Sequence, residues 1–296
     1  MSRWTEADIP DQTGRIVLVT GANSGLGLRT AQVLAGRGAH VIMGCRSVQR
    51  GQEARRAVQG SAEVLELDLA DLSSVRAAAE QVDQLDVLIN NAGIMAVPLG
   101  KTVDGFERQF GTNHLGHAAL TWLLLPALRQ RPGARVVTVA SLAHQYGRID
   151  FDDPNWERRA YTLRGSYGQS KLANILFARE LERRSSDVTS IAAHPGVTVT
   201  ELTNNMADAH RSLFLRIGGK ISHLFSQSVE MGALPQLYAA TSPDARGGEY
   251  YGPDSFNGYR GHPTVARMTA AARDDLAASR LWDLTIKLTG ITPDLP

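Results

Sequence analysis

Short, continuously apolar segments alternate with helical segments along most of the chain, and this alternation restricts the fold more than any other feature. The first apolar segment, residues 15–20 (RIVLVT), ends at Gly21, and residues 25–36 then carry apolar side chains at helical spacing. Strands that lack polar alternation have both faces covered by helices. The pattern predicts an α/β fold with a doubly wound, mostly parallel sheet. The further predicted strands are residues 39–44, 62–67, 85–90, 134–140 and 188–193.

Two longer helices are predicted over residues 103–129 and 165–184. No repeat, low-complexity tract or flexible linker divides the chain, so residues 1–296 are predicted to form a single Rossmann-fold domain. The expected sheet has about seven strands, flanked by helices. Residues 200–226 differ from the rest, because apolar side chains there accompany adjacent glycines. We interpret this segment as a candidate lid over a substrate.

The charge balance argues against a polyanion-binding protein. The chain has 31 Lys and Arg residues against 30 Asp and Glu, and the basic residues are scattered rather than clustered, so no nucleic-acid partner is expected. Cys45 is the single cysteine, which excludes an internal disulfide and fits a reducing compartment. The start of the chain lacks the apolar core of a signal peptide, and no apolar run is long enough to span a membrane. We expect a cytoplasmic location.

The sequence TGANSGLG, residues 20–27, lies between the first predicted strand and the first predicted helix. Its glycines, Gly21, Gly25 and Gly27, permit positive φ and allow the backbone to approach a pyrophosphate at the helix N-terminus, where free N–H groups favour anions. Three glycines are equally compatible with a plain turn. Their position after the first strand is the context that a dinucleotide site requires.

The second predicted strand ends in GCRS, which places Arg46 where many dinucleotide folds have an acidic residue. An acidic residue there bonds the ribose 2′-hydroxyl of NAD, whereas an arginine can pair with the 2′-phosphate of NADP. The sequence therefore favours NADP(H) over NAD(H). The alternative is that Arg46 is a solvated surface residue and that the protein prefers NAD(H).

Polar residues follow several other predicted strands. They include Asp68 after the third strand, NNAG (90–93) after the fourth, Ser141 after the fifth and HPG (194–196) after the sixth. Each by itself is more typical of a turn or a helix cap than of a site. Because the carboxyl ends of parallel strands lie at one edge of the sheet, where ligands bind, their joint placement predicts a functional site.

Tyr167 and Lys171 are four residues apart in a predicted helix, so they share one face and can enter the same cleft. A tyrosine has a pKa of about 10, and lowering it to about 7 requires about 4 kcal/mol. A lysine ammonium about 4 Å away supplies about that much only at an effective dielectric constant of about 20. We therefore expect Lys171 to lower the pKa of Tyr167 within a partly closed site.

The order of these motifs resembles the short-chain dehydrogenase/reductase family over nearly the whole chain. The glycine spacing resembles that of the one-domain oxidoreductases of the family. The long segment between Ser141 and Tyr167, together with YYGPDSFNGYRGHP later in the chain, is similar to the retinol dehydrogenase-like and WW-domain oxidoreductase-like branch. The motifs that carry the resemblance are TGANSGLG, Asp68, NNAG, Asn113 in FGTNHLGH, Ser141, YGQSK and HPG.

The resemblance implies roles for individual residues. Tyr167 corresponds to the general acid/base, Ser141 to the serine that hydrogen-bonds the substrate oxygen, and Lys171 to the lysine that also binds the nicotinamide ribose. Asn113 corresponds to the asparagine that holds a proton-relay water. The implied cofactor-binding residues, besides Tyr167 and Lys171, are Gly21, Asn23, Ser24, Gly25, Leu26, Gly27, Arg46, Asp68 and Leu69 at the adenine, Asn90, Ala92 and Gly93 at the adenosine ribose, and Pro195, Gly196, Thr198 and Thr200 near the nicotinamide or diphosphate.

The sequence thus predicts an NADP(H)-dependent oxidoreductase that interconverts an alcohol and its carbonyl. The alternatives are an NAD-preferring dehydrogenase of the same fold and a dinucleotide-binding sensor without catalysis. The branch resemblance implies a small apolar substrate, and the family resemblance allows a homo-oligomer. His114 and His117 lack an evident third metal ligand, so we assign them a structural role in the helix and predict no metal site.

Overall fold

The computed structural model describes residues 3–198 and 227–295. The strands within these ranges form one eight-stranded sheet in the order β3-β2-β1-β4-β5-β6-β7-β8. Neighbouring strands are parallel except for β8, which runs antiparallel to β7. The strands are β1 (Ile16–Thr20), β2 (His40–Cys45), β3 (Ala62–Glu66), β4 (Val87–Asn90), β5 (Arg135–Val139), β6 (Thr189–Ala193), β7 (Tyr250–Ser255) and β8 (Arg260–Val265).

Helices cover both faces of the sheet, as the sequence predicts. A π-helical turn, Gly111–Leu115, joins α4 to α5, and 3-10 turns occur at Glu6–Asp8, Leu142–Tyr146, Phe256–Gly258 and Ala271–Arg273. The helices are α1 (Gly25–Gly36), α2 (Val48–Arg55), α3 (Leu72–Ala79), α4 (Arg108–Phe110), α5 (Gly116–Arg129), α6 (Leu163–Arg184), α7 (Val229–Thr241) and α8 (Asp275–Thr289). Within residues 3–198 and 227–295, every helix is too short or too polar to cross a membrane.

The doubly wound prediction is confirmed by the sheet order. Strands β2 and β3 lie in sequence order on one side of β1, and β4 lies on the other side of β1. This reversal leaves a crevice beyond the carboxyl ends of β1 and β4, which is where ligands bind in open α/β sheets.

Alternate residues of β1 enter two separate apolar cores, one on each face of the sheet. Leu18 joins the core that includes Leu120 of α5 and Leu172 of α6. Val17 and Val19 join the core that includes Leu34 of α1 and the apolar side of α7. Burial on both faces explains why the strand is apolar at every position, and it holds the carboxyl end of β1 in a fixed place.

Two features differ from the sequence expectations, and a third expectation is not tested. The 103–129 helix begins at Arg108, because the buried Glu107 caps it by accepting hydrogen bonds from the N–H groups of Gln109 and Phe110 at 2.9 and 2.7 Å. Strands β7 and β8 were not individually predicted, since both contain Gly and Pro and their register shifts beside the Pro253–Pro263 pair. The proposed 200–226 lid lies outside the described residues.

Candidate active site

The turn between β1 and α1 can be built only with glycine at particular positions. Gly21 has φ of +67° and Gly25 has φ of +53°. A Cβ at Gly27 would lie 2.3 Å from the Gly21 carbonyl oxygen and 2.6 Å from Asn91 Nδ2. Ser24 precedes α1 in an extended conformation, and its hydroxyl makes no capping hydrogen bond. The turn therefore presents open backbone at the N-terminus of a 12-residue helix, which suits a pyrophosphate.

A cleft of about 180 Å³ lies beside this turn at the carboxyl edge of the sheet. It collects residues from β1, β2, the loop after β3 and the loop after β4. The residues that line it and were predicted to bind the cofactor are Gly21, Asn23, Arg46, Asp68, Leu69, Ala92 and Gly93. The others are Thr20, Gly44, Ser47, Arg50, Leu67, Ile94 and Thr112. The shape of the glycine turn and this set of side chains fit an adenine dinucleotide.

Arg46 follows the last residue of β2 and is exposed at the cleft. The side chain has no hydrogen-bond or ion-pair partner among residues 3–198 and 227–295, so its guanidinium is available to an anion. Arg50, one turn into α2, lines the same cleft. The part of the cleft beside the end of β2 therefore has two cationic groups.

The loop after β3 holds Asp68 and Leu69 through backbone contacts. Asp68 Oδ1 accepts a hydrogen bond from the N–H of Ala70 at 2.9 Å, and the Asp68 N–H donates to Ser74 Oγ at 2.9 Å. A Cβ at Gly116 would lie 2.3 Å from the carbonyl oxygen of Leu69. Helix α5 can approach this loop only because position 116 is glycine.

The two asparagines after β4 have different environments. Asn90 is fully buried, and its Nδ2 donates to Thr121 Oγ1 at 2.9 Å, so its side chain points into the sheet interior rather than into the cleft. Asn91, which the sequence analysis did not single out, donates from Nδ2 to the carbonyl oxygen of Thr20 at 2.8 Å. Asn91 thereby joins the loop after β4 to the glycine turn.

Asn113 lies in the π-helical turn, and both the oxygen and the nitrogen of its side-chain amide are hydrogen-bonded. Its Oδ1 accepts from the N–H of Ile94 at 2.8 Å, while its Nδ2 donates to the Ile94 carbonyl at 2.9 Å and to Ser170 Oγ at 2.9 Å. A Cβ at Gly93 would lie 3.3 Å from Asn113 Oδ1 and 3.5 Å from Lys171 Nζ. The structure thus brings NNAG, Asn113 and Lys171 together, as predicted.

Lys171 is buried, with 4% of its surface exposed, and its Nζ donates to the Val139 carbonyl oxygen at 3.0 Å. Its Nζ lies 5.8 Å from the centroid of the Tyr167 ring. Burial lowers the pKa of Lys171 to about 8. Lys171 therefore remains mostly charged at neutral pH and loses its proton as the pH rises through about 8.

The electrostatics of Tyr167 are the opposite of the sequence expectation. Burial raises the pKa of Tyr167 to about 12, the Ser141 side chain partly offsets this, and Tyr146 adds to it. The residue is only partly buried, and its side chain hydrogen-bonds with that of Ser141. The expected lowering by Lys171 is wrong for this structure, since desolvation is the larger effect. Tyr167 is a protonated phenol at neutral pH.

Ser141 is placed against α6 by two glycines that the sequence analysis did not identify. Ser141 caps the 3-10 turn Leu142–Tyr146, and its Oγ accepts from the N–H of Ala143 at 3.2 Å. A Cβ at Gly147 would lie 2.2 Å from the carbonyl oxygen of Gly168, and a Cβ at Gly168 would lie 2.9 Å from the Tyr146 ring. This close packing sets Ser141 beside Tyr167, and the only sequence signal is the glycine that follows the tyrosine.

The HPG segment forms a tight turn. Gly196 has φ of +66°, and a Cβ there would lie 2.3 Å from the carbonyl oxygen of Tyr259. Thr198 is buried and donates from Oγ1 to the Pro195 carbonyl at 3.0 Å. A Cβ at Gly232 would lie 2.3 Å from Thr198 Oγ1 and 3.0 Å from Leu26 Cδ2, so this turn packs close to the start of α1. Thr200 lies outside the described residues.

His114 and His117 have the structural environment that the sequence predicts. His114 Nε2 is 3.0 Å from Thr285 Oγ1 of α8, and His117 Nε2 is 2.9 Å from Thr20 Oγ1 of β1. Both rings are buried, and burial lowers the pKa of His114 to about 3 and that of His117 to about 4.

Comparisons with known proteins agree with this geometry. The family profile described as short chain dehydrogenase matches residues 15–211. Retinol dehydrogenase 12 of Mus musculus is 40% identical over 302 residues, covering 97% of this chain and 89% of that protein. A crystal structure of an uncharacterized protein from Mycobacterium Paratuberculosis is 47% identical, covers 98% of both chains and has a TM-score of 0.84. An NAD(P) dependent gluconate 5-dehydrogenase from Beutenbergia cavernae, solved with bound NADP at low occupancy, is 25% identical with a TM-score of 0.63, covering 80% of this chain and 94% of that one.

Proposed function

Because the chain belongs to the short-chain dehydrogenase/reductase family and is an NAD(P)-dependent oxidoreductase acting on CH–OH groups, we propose that it reduces an apolar carbonyl with NADPH, and oxidises the alcohol in reverse, through Tyr167. The observation that carries the proposal is the position of a protonated Tyr167 beside Ser141 and Lys171. A phenol that keeps its proton at neutral pH is suited to donating it.

We assign the residues the roles that membership of this family implies, and their positions in the structure are compatible with these roles. Bound NADPH supplies the hydride, which the carbonyl carbon accepts. The Tyr167 hydroxyl transfers its proton to the carbonyl oxygen, and the Ser141 hydroxyl donates a hydrogen bond to the same oxygen. The buried Lys171 ammonium binds the nicotinamide ribose and stabilises the phenolate that remains. Asn113, fixed on both sides by Ile94, holds the water through which Tyr167 is reprotonated.

The preference for NADP(H) belongs to the same proposal. Arg46 is available at the cleft, Arg50 lines it too, and no acidic residue occupies the end of β2. A 2′-phosphate gains charge-assisted hydrogen bonds from arginine, whereas a 2′-hydroxyl gains little. The related dehydrogenase solved with bound NADP is consistent with this choice.

The proposed substrate class is supported by the relatives and by exposed aromatic side chains near the site. The relatives include retinol dehydrogenases, which are named for an apolar alcohol. Tyr146, Phe256 and Tyr259 are more than 40% exposed, and a Cβ at Gly258, next to Tyr259, would lie 3.5 Å from Leu142 Cδ2 in the 3-10 turn after Ser141. We propose a small apolar carbonyl or alcohol as substrate, a cytoplasmic location and a homo-oligomeric state.

An assay of the purified protein tests the catalytic proposal. NADPH consumption at 340 nm is followed over a panel of apolar aldehydes and ketones, and NADP⁺ reduction over the matching alcohols. Tyr167→Phe is expected to lower kcat by at least about 100-fold, because general acid catalysis contributes about that much. It should bind NADPH normally. A wild-type protein that binds NADPH but turns over no substrate would instead support a sensor.

Arg46→Ala tests the cofactor preference. We expect kcat/KM for NADPH to fall about 10-fold or more, since a hydrogen bond to a charged group contributes about 1.5 to 3 kcal/mol, while kcat/KM for NADH stays the same. Arg56→Ala is the matched control, because it removes the same charge from the far end of α2, outside the cleft. An unchanged NADPH/NADH ratio in Arg46→Ala would show that this arginine is only a surface residue.

A further inference from the structure

His117 connects two parts of the active site that come from distant positions in the sequence. Its ring is 1% exposed. Its Nδ1 is 3.0 Å from the backbone carbonyl oxygen of Asn113, and its Nε2 is 2.9 Å from the hydroxyl of Thr20, 97 residues earlier in the chain. The imidazole therefore bridges the π-helical turn that carries Asn113 and the end of β1, where the glycine turn begins.

The chemistry of the two contacts determines the tautomer. A backbone carbonyl can only accept a hydrogen bond, so Nδ1 must carry the proton and donate it to Asn113. Nε2 then has a lone pair and must accept from the Thr20 hydroxyl. Both ring nitrogens are satisfied only in this one neutral form.

The Thr20 hydroxyl is used to its full capacity. Its oxygen accepts hydrogen bonds from the N–H groups of Asn91 and Ala92, each at 2.9 Å. Its proton is donated to His117 at 2.9 Å in preference to the Ile89 carbonyl oxygen, which is 3.4 Å away. One donor and two acceptor sites are all that a hydroxyl has. A doubly protonated His117 would leave two donors facing each other, and burial, together with the nearby Lys171, prevents this by lowering the pKa of His117 to about 4.

We infer that His117 is a positioning residue, which holds the glycine turn, the loop after β4 and the Asn113 turn in one arrangement. The inference rests on the proposed function, because that function requires the cofactor turn and Asn113 to be correctly placed at the same time. His117 acts through Thr20 on the cofactor side and through the Asn113 backbone on the catalytic side. Its two hydrogen bonds should therefore affect different measured quantities.

Three substitutions separate the two bonds. His117→Asn places an amide donor near the position of Nδ1, so it keeps the bond to Asn113 and loses the bond to Thr20. His117→Gln reaches the position of Nε2, so it keeps an acceptor for Thr20 and loses the bond to Asn113. His117→Phe keeps the ring volume and loses both.

The expected results follow from these assignments. His117→Asn should weaken NADPH binding about 5-fold, as the loss of one net hydrogen bond of about 1 kcal/mol implies, with a smaller change in kcat. His117→Gln should keep the Kd for NADPH and lower kcat about 10-fold or more, because small displacements of catalytic groups are costly. His117→Phe should show both losses. NADPH titration by fluorescence and steady-state kinetics, normalised to folded protein, measure them.

His114 supplies the matched control, since it is a buried histidine of the same helical region whose bond leads to Thr285 of α8. His114→Asn, His114→Gln and His114→Phe should lower the thermal unfolding temperature while keeping the Kd and kcat of the folded enzyme. The inference is overturned if His117→Asn and His117→Gln change Kd and kcat in the same ratio, or if the His114 variants reproduce the losses. If the wild type turns over no carbonyl, the proposed function fails, and the Kd difference between His117→Asn and His117→Gln still decides this inference.

Discussion

Tyr167 shows how burial decides the chemistry of a side chain whose identity the sequence already provides. The spacing of Tyr167 and Lys171 predicts that they share a face of one helix, and both do lie in α6. The sign of the pKa shift could not be predicted in the same way. Desolvation depends on every element packed around the phenol, and here it outweighs the lysine, whose Nζ is 5.8 Å from the ring centroid and bonded to a carbonyl.

The two shifted groups predict the pH dependence of carbonyl reduction. Tyr167, with a pKa of about 12, stays protonated throughout the accessible range, whereas Lys171 loses its charge as the pH rises through about 8. We expect kcat/KM for reduction to be level from about pH 6 to 7 and to fall up to about tenfold per pH unit above 8.

Lys171→Arg supplies the control for this profile. Arginine stays charged above pH 12, so the descending limb should move out of the measured range even where the overall rate is lower. A limb that stays near pH 8 in this variant would show that another group is responsible.

At the level of turns and helices, local sequence and local structure agree closely. The glycine turn after β1 was predicted, and its φ values and close approaches require glycine at Gly21, Gly25 and Gly27. The Asn113 segment was predicted only as helix. Its π-helical turn, closed by the bond from the Gly116 N–H to the Gly111 carbonyl, depends on the contacts of Gly116 with Leu69 and of Asn113 with Ile94, which no local pattern encodes.

Two glycines of α1 allow a direct test of the turn. Gly27→Ala places a Cβ 2.3 Å from the Gly21 carbonyl oxygen, so the turn must shift. We expect the protein to lose about 1 to 3 kcal/mol of stability. The Kd for NADPH should rise about tenfold or more, because the displaced backbone N–H groups no longer point at the pyrophosphate.

Gly36→Ala is the matched control at the other end of the same helix. A Cβ at position 36 meets no atom within 4 Å, and alanine favours a helix over glycine by up to about 1 kcal/mol. NADPH binding should be unchanged and the unfolding temperature should stay the same or rise. If both variants bind NADPH as the wild type does, the glycine turn is not the cofactor site.

Across the entire fold, several buried histidines link stability to pH. Burial lowers the pKa of His114 to about 3, of His117 to about 4 and of His194 to about 3, all from 6.5. Below pH 6.5 the unfolded chain therefore binds more protons than the folded protein. Stability is fully present above pH 6.5 and falls as the pH drops towards 4, by up to about 1.4 kcal/mol per pH unit for each histidine.

Urea unfolding between pH 7.5 and 5 measures this dependence. His114→Phe should reduce the slope of unfolding free energy against pH by about one proton well below pH 6.5. Equal slopes in the wild type and His114→Phe would mean that His114 is protonated in the folded protein.

The sequence by itself determined the βα alternation, the glycine turn, the Tyr167–Lys171 pair and the family, because each depends on the identity and spacing of neighbouring residues. The tertiary structure decided what depends on residues far apart in the chain. It turned Asn90 into the interior, made Asn91 and His117 the links to Thr20, and raised the pKa of Tyr167 instead of lowering it. Hydrogen-bond partners and desolvation are properties of the packed arrangement, so spacing along the chain could predict which side chains meet at the sheet edge but not how each is protonated or held.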